Sequence, residues 1–301
     1  MPMTWGHAAV LSAALIWGTN HVATRALAED VPLFALTFWR WAIALLFLVP
    51  IAWRWLVRDS ALLHAARWPL ALAGLNGMGV FGIAISGAPY YTTAANVSLI
   101  SSTSPLWVLV FAGLTRTERI TARQVIGIVV AFLGTAHIVL GGQWHRLATV
   151  TFAAGDLIAV GAAMLWAIFS VQVKRLPAGL HPLSITVAAA FAGFLFLALV
   201  YLAWGLSGQA WLRQAGGQMD HRTALALLGY IALGPSLLGN LTFTAGVQRV
   251  GPAVAGALLT MTPVFATIFA VTLLDEHLAP HHGVGVAGIA IGLWLATVAR
   301  R

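Results

Sequence analysis

Cysteine is missing from this chain, so it holds no disulfide, no thiolate metal site and no cysteine nucleophile. Charge is scarce too: Asp, Glu, Lys and Arg make up 8% of the 301 residues, against about 25% in soluble domains. With 60% of residues hydrophobic, too little polar surface remains to cover a water-soluble fold. Enzyme signatures are absent as well. There is no HExxH, no GxSxG, no Asp-x-Asp pair, and no Gly-rich loop followed by Lys-Ser or Lys-Thr. The last absence excludes nucleotide-driven pumping by this chain, and no cofactor is expected.

What is present reads as a membrane protein, with the lipid bilayer as its solvent and no nucleic-acid partner. Thirty glycines suit close helix contact, and thirteen tryptophans suit interfacial belts. The net charge of +8 sits in short loops between apolar runs, where it reports topology. A run of about 20 apolar residues spans the hydrocarbon core as a helix. Ten such runs are expected, the first five at Trp5–Leu27, Pro32–Trp53, Trp68–Tyr90, Thr92–Leu114 and Thr121–Leu140. The second five are Gly155–Val173, Pro182–Trp204, Thr223–Gly246, Pro252–Leu274 and Gly283–Ala299. The first reads as an uncleaved helix, since no basic region precedes it and no small-residue cleavage pattern follows. One side of this topology carries 11 basic residues and both termini, the other side 4, and Arg40 lies within helix 2. The positive-inside rule then puts both termini in the cytoplasm.

The chain repeats itself. Ser102 to Gly134 aligns with Thr260 to Gly292, bringing Pro105 over Pro263, Glu118 over Glu276, Gly127 over Gly285 and Gly134 over Gly292, each 158 residues apart. Near the N-terminus "LIWGTNHVATRAL" resembles "MLWAIFSVQVKRL", with Trp17 over Trp166 and Arg25 over Lys174, 149 apart. The expected units are residues 1–142 and 152–301. Five helices per unit is an odd number, so the second unit enters the membrane from the opposite side. The expected fold is therefore all-α and integral to the membrane, two inverted five-helix repeats. Secondary transporters recurrently use this architecture, with the substrate site near mid-membrane between the repeats.

The "WG" of helix 1, the Arg of helix 2, the Ser/Thr-Pro of helices 4 and 9 with a Glu after each, and the paired glycines of helices 5 and 10 together resemble the drug/metabolite transporter superfamily, in its ten-helix EamA-type branch. The resemblance covers nearly the whole chain. It implies an exporter of metabolites in the bacterial inner membrane, amino acids among them, and the bacterial aromatic amino acid exporters are similar. Nucleotide-sugar exchange is the alternative substrate class, but a diphosphate would want more than one buried cation. A channel and an intramembrane enzyme are the rivals from other classes.

Candidate substrate-binding residues follow from buried polarity. Arg40, inside "FWRW", either receives a substrate carboxylate or reaches the interface structurally; its match in helix 7 is Ala189. Trp17, Asn20, His21 and Thr24 share one face of helix 1 by spacing, read as path-lining. The matching face of helix 6 offers Trp166, Phe169 and Ser170, while Gln172 points elsewhere, towards a helix–helix hydrogen bond. Asn76 and Tyr90 on helix 3, Ser98 and Trp107 on helix 4, and Asn240 on helix 8 complete the set, with structural roles equally open. Pro105 and Pro263 are expected as mid-helix hinges or static kinks. Glu118 and Glu276 lie at membrane ends, Glu118 expected to cap or to pair with Arg119 or Arg123. With no carboxylate at the bilayer centre, and His7, His21 and His137 the helical histidines, facilitated diffusion or weak His-linked coupling is expected. His277, His281 and His282 cluster in a loop without carboxylate geometry, so no metal is assigned.

Overall fold

In the computed structural model of the chain, residues 4–27, 30–88, 91–92, 94–149, 153–207, 219–273 and 279–297 are described. Among them the chain is all-helical, with no strand. The main helices are α1 (Trp5–Leu27), α2 (Leu33–Arg58), α3 (Arg67–Gly87), α4 (Ala94–Ser101 continuing as Ser104–Leu114) and α5 (Ala122–Val139). They continue as α6 (Ala154–Arg175), α7 (Pro182–Leu206), α8 (His221–Val250), α9 (Pro252–Leu259 continuing as Thr262–Leu273) and α10 (Pro280–Thr297). Eight of these, α2 to α9, are long and apolar enough to cross a membrane, so the protein is a multi-pass membrane protein. The expectation of ten crossings is met to that extent. α1 carries His7, Asn20, His21 and Arg25, and α10 opens on Pro-His-His, which dilutes the apolarity of both.

Local chemistry sets the helix ends. Thr121 and Gln124 form a reciprocal capping box at the start of α5. Asp220 accepts from the backbone N–H of Arg222 and Thr223 at the start of α8, so that helix begins before its apolar run does. Asp59 lies between α2 and the short helix Ser60–Ala65, buried, and reaches the start of α7. There it accepts from the His181 N–H at 2.8 Å and the Ser184 hydroxyl at 2.8 Å, while Arg58 Nε donates to its other oxygen at 2.7 Å. Burial alone would raise its carboxyl pKa, but these hydrogen bonds, that from Arg58 foremost, outweigh it and hold it down to about 2.

Packing follows a two-fold scheme. α1 lies on α8 and α9, as α6 lies on α3 and α4; α2 lies on α8 as α7 lies on α3. Three pairs join matched helices directly: α2 with α7, α4 with α9, and α5 with α10. α2 and α7 meet through rings, Phe38 stacking on Tyr201 at 4.4 Å and on Phe194 at 5.2 Å, while Trp39 Nε1 donates to the Tyr201 hydroxyl. α5 and α10 meet backbone to backbone. A Cβ added at Gly134 would stand 2.7 Å from the Gly285 carbonyl oxygen, and one at Gly292 would stand 2.4 Å from the Ala131 nitrogen. Only glycine permits this approach, which is the basis of small-residue packing in lipid.

α4 and α9 are each broken at the matched positions, Ser102–Thr103 and Thr260–Met261. The expected mid-helix proline kinks are corrected accordingly. Pro105 stands at the first turn of the helical segment Ser104–Leu114, and Pro263 follows the break at Thr260–Met261, positions where a missing N–H costs nothing. Hydroxyls of Ser102, Thr103 and Thr260 bond carbonyls three residues back, at 2.6, 2.6 and 2.7 Å. Glu118 acts as a cap across the sequence: Oε2 accepts from the Ala253 N–H at 3.1 Å at the start of α9, 135 residues away. Gly251, at φ +86°, is required there, because a Cβ would overlap the Glu118 carboxylate.

Two stability outcomes follow. Gly134→Ala should cost about 1–3 kcal/mol by forcing α5 from α10, whereas Gly229→Ala, with open space at its Cβ, should be neutral or stabilising by up to about 1 kcal/mol; melting of the detergent-purified protein reads both. Because the carboxyl of Asp59 sits below its ordinary value of 3.8, its contribution is complete above about pH 4 and is lost as pH falls towards about 2. Asp59→Asn should therefore lower the melting temperature at pH 7 and flatten its fall between about pH 4 and about pH 2.

Candidate functional site

Pro235 stands in the middle of the thirty-residue α8 and brings no backbone N–H. The Ile231 carbonyl, four residues back, therefore loses its helical donor. In lipid such a carbonyl has no water to turn to. The chain answers by widening Ala232–Gly239 into a π-helical turn, and the Ser236 hydroxyl donates to the Ile231 carbonyl at 2.9 Å. Asn240 Nδ2 reaches back to the carbonyls of Ser236 at 3.0 Å and Pro235 at 3.3 Å.

Two further side chains converge on this turn from other helices. Trp17 Nε1, on α1, donates to the Pro235 carbonyl at 3.0 Å. Arg40 Nε, on α2, donates to the Ser236 hydroxyl oxygen at 2.7 Å. With its proton committed to Ile231, that oxygen presents only lone pairs to Arg40, which fixes the direction of the guanidinium. Arg40 is half-buried. Its terminal nitrogens make no hydrogen bond with the described residues, which leaves their donors available to an anion. The single ion pair among the described residues is Arg58 with Asp59, so Arg40 has no carboxylate partner there.

Beside the turn lies a ring cluster. Trp17 meets Trp166 edge to face at 5.1 Å, and these are the matched tryptophans of helices 1 and 6. Phe243 approaches Trp166 at 4.8 Å and Trp17 at 5.4 Å, while Phe81 and Phe169 lie 5.0 and 5.3 Å from Trp166. α3 carries a π-helical turn at Leu75–Val80, matching that of α8 at the 158-residue offset (75 + 158 = 233). There Gly77 abuts the Phe169 ring, and a Cβ would stand 2.3 Å from it.

The sequence-derived candidates thus divide. Trp17, Arg40, Trp166 and Phe169 gather at or beside the turn of α8, with Asn20 one helical turn along from Trp17 on the same face. Asn240 also belongs to the turn, but its amide donates to its own helix and is buried. Asn76 donates to Gln172 at 3.2 Å, the helix–helix bond expected of Gln172. Trp107 stacks on Phe111, and Ser98 is exposed at the protein surface, so neither joins the cluster. Tyr90, Glu276 and His277 lie outside the described residues, as does the His21 side chain. Sequence reasoning missed Phe243 and Phe81 as members, and Ser236 is visible in the sequence only as a polar residue of helix 8 whose role is open; Pro235 was the legible signal, a proline in mid-helix.

Comparison with known proteins adds the family context. The family model for the EamA-like transporter family matches twice, over residues 4–140 and 153–298. The uncharacterised transporter YetK of Bacillus subtilis (strain 168) is 23% identical over 98% of this chain and 87% of its own length. The probable terminal-alkyne amino-acid exporter of Streptantibioticus cattleyicolor is 26% identical over 74% of this chain and 71% of its own. The riboflavin transporter of Brucella anthropi is 30% identical over 66% of each. A crystal structure with 22% identity superposes with a TM-score of 0.79, covering 97% of this chain and 96% of that one, which gives the fold.

Ser236→Ala removes the hydroxyl donated to Ile231 and the acceptor of Arg40 at once, and should cost about 1–3 kcal/mol of stability. Ser236→Thr keeps the hydroxyl and should recover most of it; thermal melts of the two proteins side by side provide the check.

Proposed function

Because the chain belongs to the EamA-like transporter family, we propose that it is a secondary transporter exporting small amphipathic metabolites, amino acids including aromatic ones foremost. It would cross the bacterial inner membrane ten times, as inverted five-helix repeats with both termini in the cytoplasm, and work by alternating access. Matched helix breaks in α4 and α9 supply the flexible points such rocking needs.

Arg40 carries the substrate assignment. An intramembrane cation without a protein anion is expensive, and its retention is rational where a ligand supplies the negative charge. Its matched residue is Ala189, whose backbone packs directly against Gly74. The two-fold frame therefore closes without a charge at this position, and Arg40 is there for something other than packing. A planar guanidinium held by Nε and open at both terminal nitrogens suits bidentate binding of a carboxylate. The indoles of Trp17 and Trp166 beside it supply an apolar wall for the rest of the substrate.

Energy coupling is read as facilitated diffusion down the metabolite gradient. The carboxylates of Asp30, Asp59, Glu118, Asp156 and Asp220 stand at helix ends or in connections, not at mid-membrane. His7 bonds Thr4 at the start of α1, and His137 accepts from Trp144 Nε1 at the end of α5.

Uptake of radiolabelled tryptophan, phenylalanine and threonine into proteoliposomes tests this, with riboflavin in the same panel. Arg40→Ala should cut the initial rate for the aromatic amino acids at least about tenfold, one lost charge-assisted contact being worth about 1.5–3 kcal/mol. Trp17→Ala should weaken tryptophan more than threonine, and dissipating a pH gradient should leave the rates unchanged. Absence of uptake of every amino acid by the unmutated protein would overturn the substrate assignment.

A further inference from the structure

The polar side chains of the α8 turn occupy positions whose matched counterparts are apolar. Arg40 corresponds to Ala189 (40 + 149), Ser236 to Met78 (236 − 158), Asn20 to Phe169 (20 + 149) and Thr24 to Val173 (24 + 149). Phe169 and Val173 are 1% and 0% exposed, so at their own positions they are interior packing. The same frame can thus be closed with hydrocarbon, and on one side it is not.

Two of these polar groups remain unsatisfied. Asn20 Oδ1 and Thr24 Oγ1 are buried and have no hydrogen-bond partner. They lie four residues apart on α1, hence on one face. Helical hydroxyls in this chain usually return to a carbonyl three or four residues back, as those of Thr37, Ser170 and Thr242 do. Thr24 does not. The amides of Asn76 and Asn240 both donate to protein acceptors, whereas the acceptor oxygen of Asn20 is left over. The other orphaned groups are single hydroxyls on Ser101, Thr135, Thr186 and Thr244, each on a different helix. Asn20 and Thr24 are the adjacent pair, and Asn20 stands next to Trp17, which is bonded to the α8 turn. α1 and α2 both pack on α8, so the acceptors of α1 and the donors of Arg40 reach the neighbourhood of the α8 turn from different helices.

We propose that Asn20 and Thr24 form a second subsite that receives a protonated amine, so that the substrate class is the zwitterion, a primary ammonium close to a carboxylate, rather than carboxylic acids at large. This rests on the reading of Arg40 as the carboxylate site. Arg40 can only donate and Asn20 Oδ1 can only accept, so a ligand satisfying both must carry an acceptor and a donor. A carboxylate matches the charge of the guanidinium, and an ammonium has N–H donors enough for both the Asn20 and the Thr24 oxygens. In the state described here the two oxygens are covered, and movement of α1 relative to α8 opens them to the ligand.

The test compares phenylalanine with 3-phenylpropionate, which lacks the amine, and phenethylamine, which lacks the carboxylate, as substrates of the reconstituted full chain. The unmutated protein should prefer phenylalanine at least about tenfold over either, the worth of about 1.4 kcal/mol. Asn20→Leu should abolish the preference over 3-phenylpropionate while keeping that over phenethylamine, and Arg40→Gln should do the reverse. Thr24→Val, which copies its counterpart, should act like Asn20→Leu but more weakly. Both apolar variants should melt higher than the parent, because each removes an unsatisfied buried oxygen, so misfolding is not the expected reason for lost selectivity. Equal transport of phenylalanine and 3-phenylpropionate by the parent, or unchanged selectivity in Asn20→Leu, overturns the ammonium subsite and leaves the carboxylate site standing. Equal transport of phenylalanine and phenethylamine overturns the carboxylate reading instead, and no transport of any of the three overturns both.

Discussion

A carbonyl inside a bilayer has to be answered by another protein group, and in this chain that demand is most acute at Ile231. Pro235 withholds the N–H that would serve it in an α-helix, the helix widens by a residue into π-helical pairing, and Ser236 adds its hydroxyl as a donor. Arg40 is then oriented on the same hydroxyl. The carbonyl of Pro235 is the anchor of Trp17, and Asn240 donates to it as well. One missing hydrogen thus explains why a tryptophan from α1 and an arginine from α2 end at adjacent residues of α8.

The rest of the architecture holds that turn still. α5 and α10 are locked backbone to backbone, α2 and α7 by stacked rings, and the helix starts of α7 and α9 by Asp59 and Glu118 reaching across the sequence. These contacts are distributed evenly over the two halves of the chain. The polar groups beside the α8 turn are not: Asn20, Thr24, Arg40 and Ser236 belong to α1, α2 and α8, while α6, α7 and α3 fill the corresponding positions with Phe169, Val173, Ala189 and Met78. An even frame with an uneven interior is what separates scaffold from site in this molecule.

Much of the frame was legible in the residues. Apolar runs located the helices to within a few residues, and the glycines of α5 and α10 stood out because only they permit backbone contact. Arg40 and Trp17 were legible for the opposite reason, as groups that lipid does not tolerate idly. What stayed hidden were the consequences of hydrogen-bond accounting along a helix. Asn76 and Asn240 looked like ligands, yet one is consumed by Gln172 and the other by its own carbonyls. Whether a buried amide is free depends on partners a hundred residues away or on a turn that is not α-helical, and neither has a period in the sequence. Glu118 is the same case: its partner, the Ala253 N–H, is a backbone group that no residue pattern marks.

The seam between α5 and α10 has a consequence for how such a protein diversifies. At its centre the contact is largely main chain, glycine and alanine, so little side-chain information there can be rewritten. Mutations in α1, α2 and α8 that retune the interior leave it untouched, and mutations within it have nowhere to go. Changes that retune the cargo and changes that would break this seam therefore fall on different residues, which leaves the interior freer to vary than the α5–α10 contact.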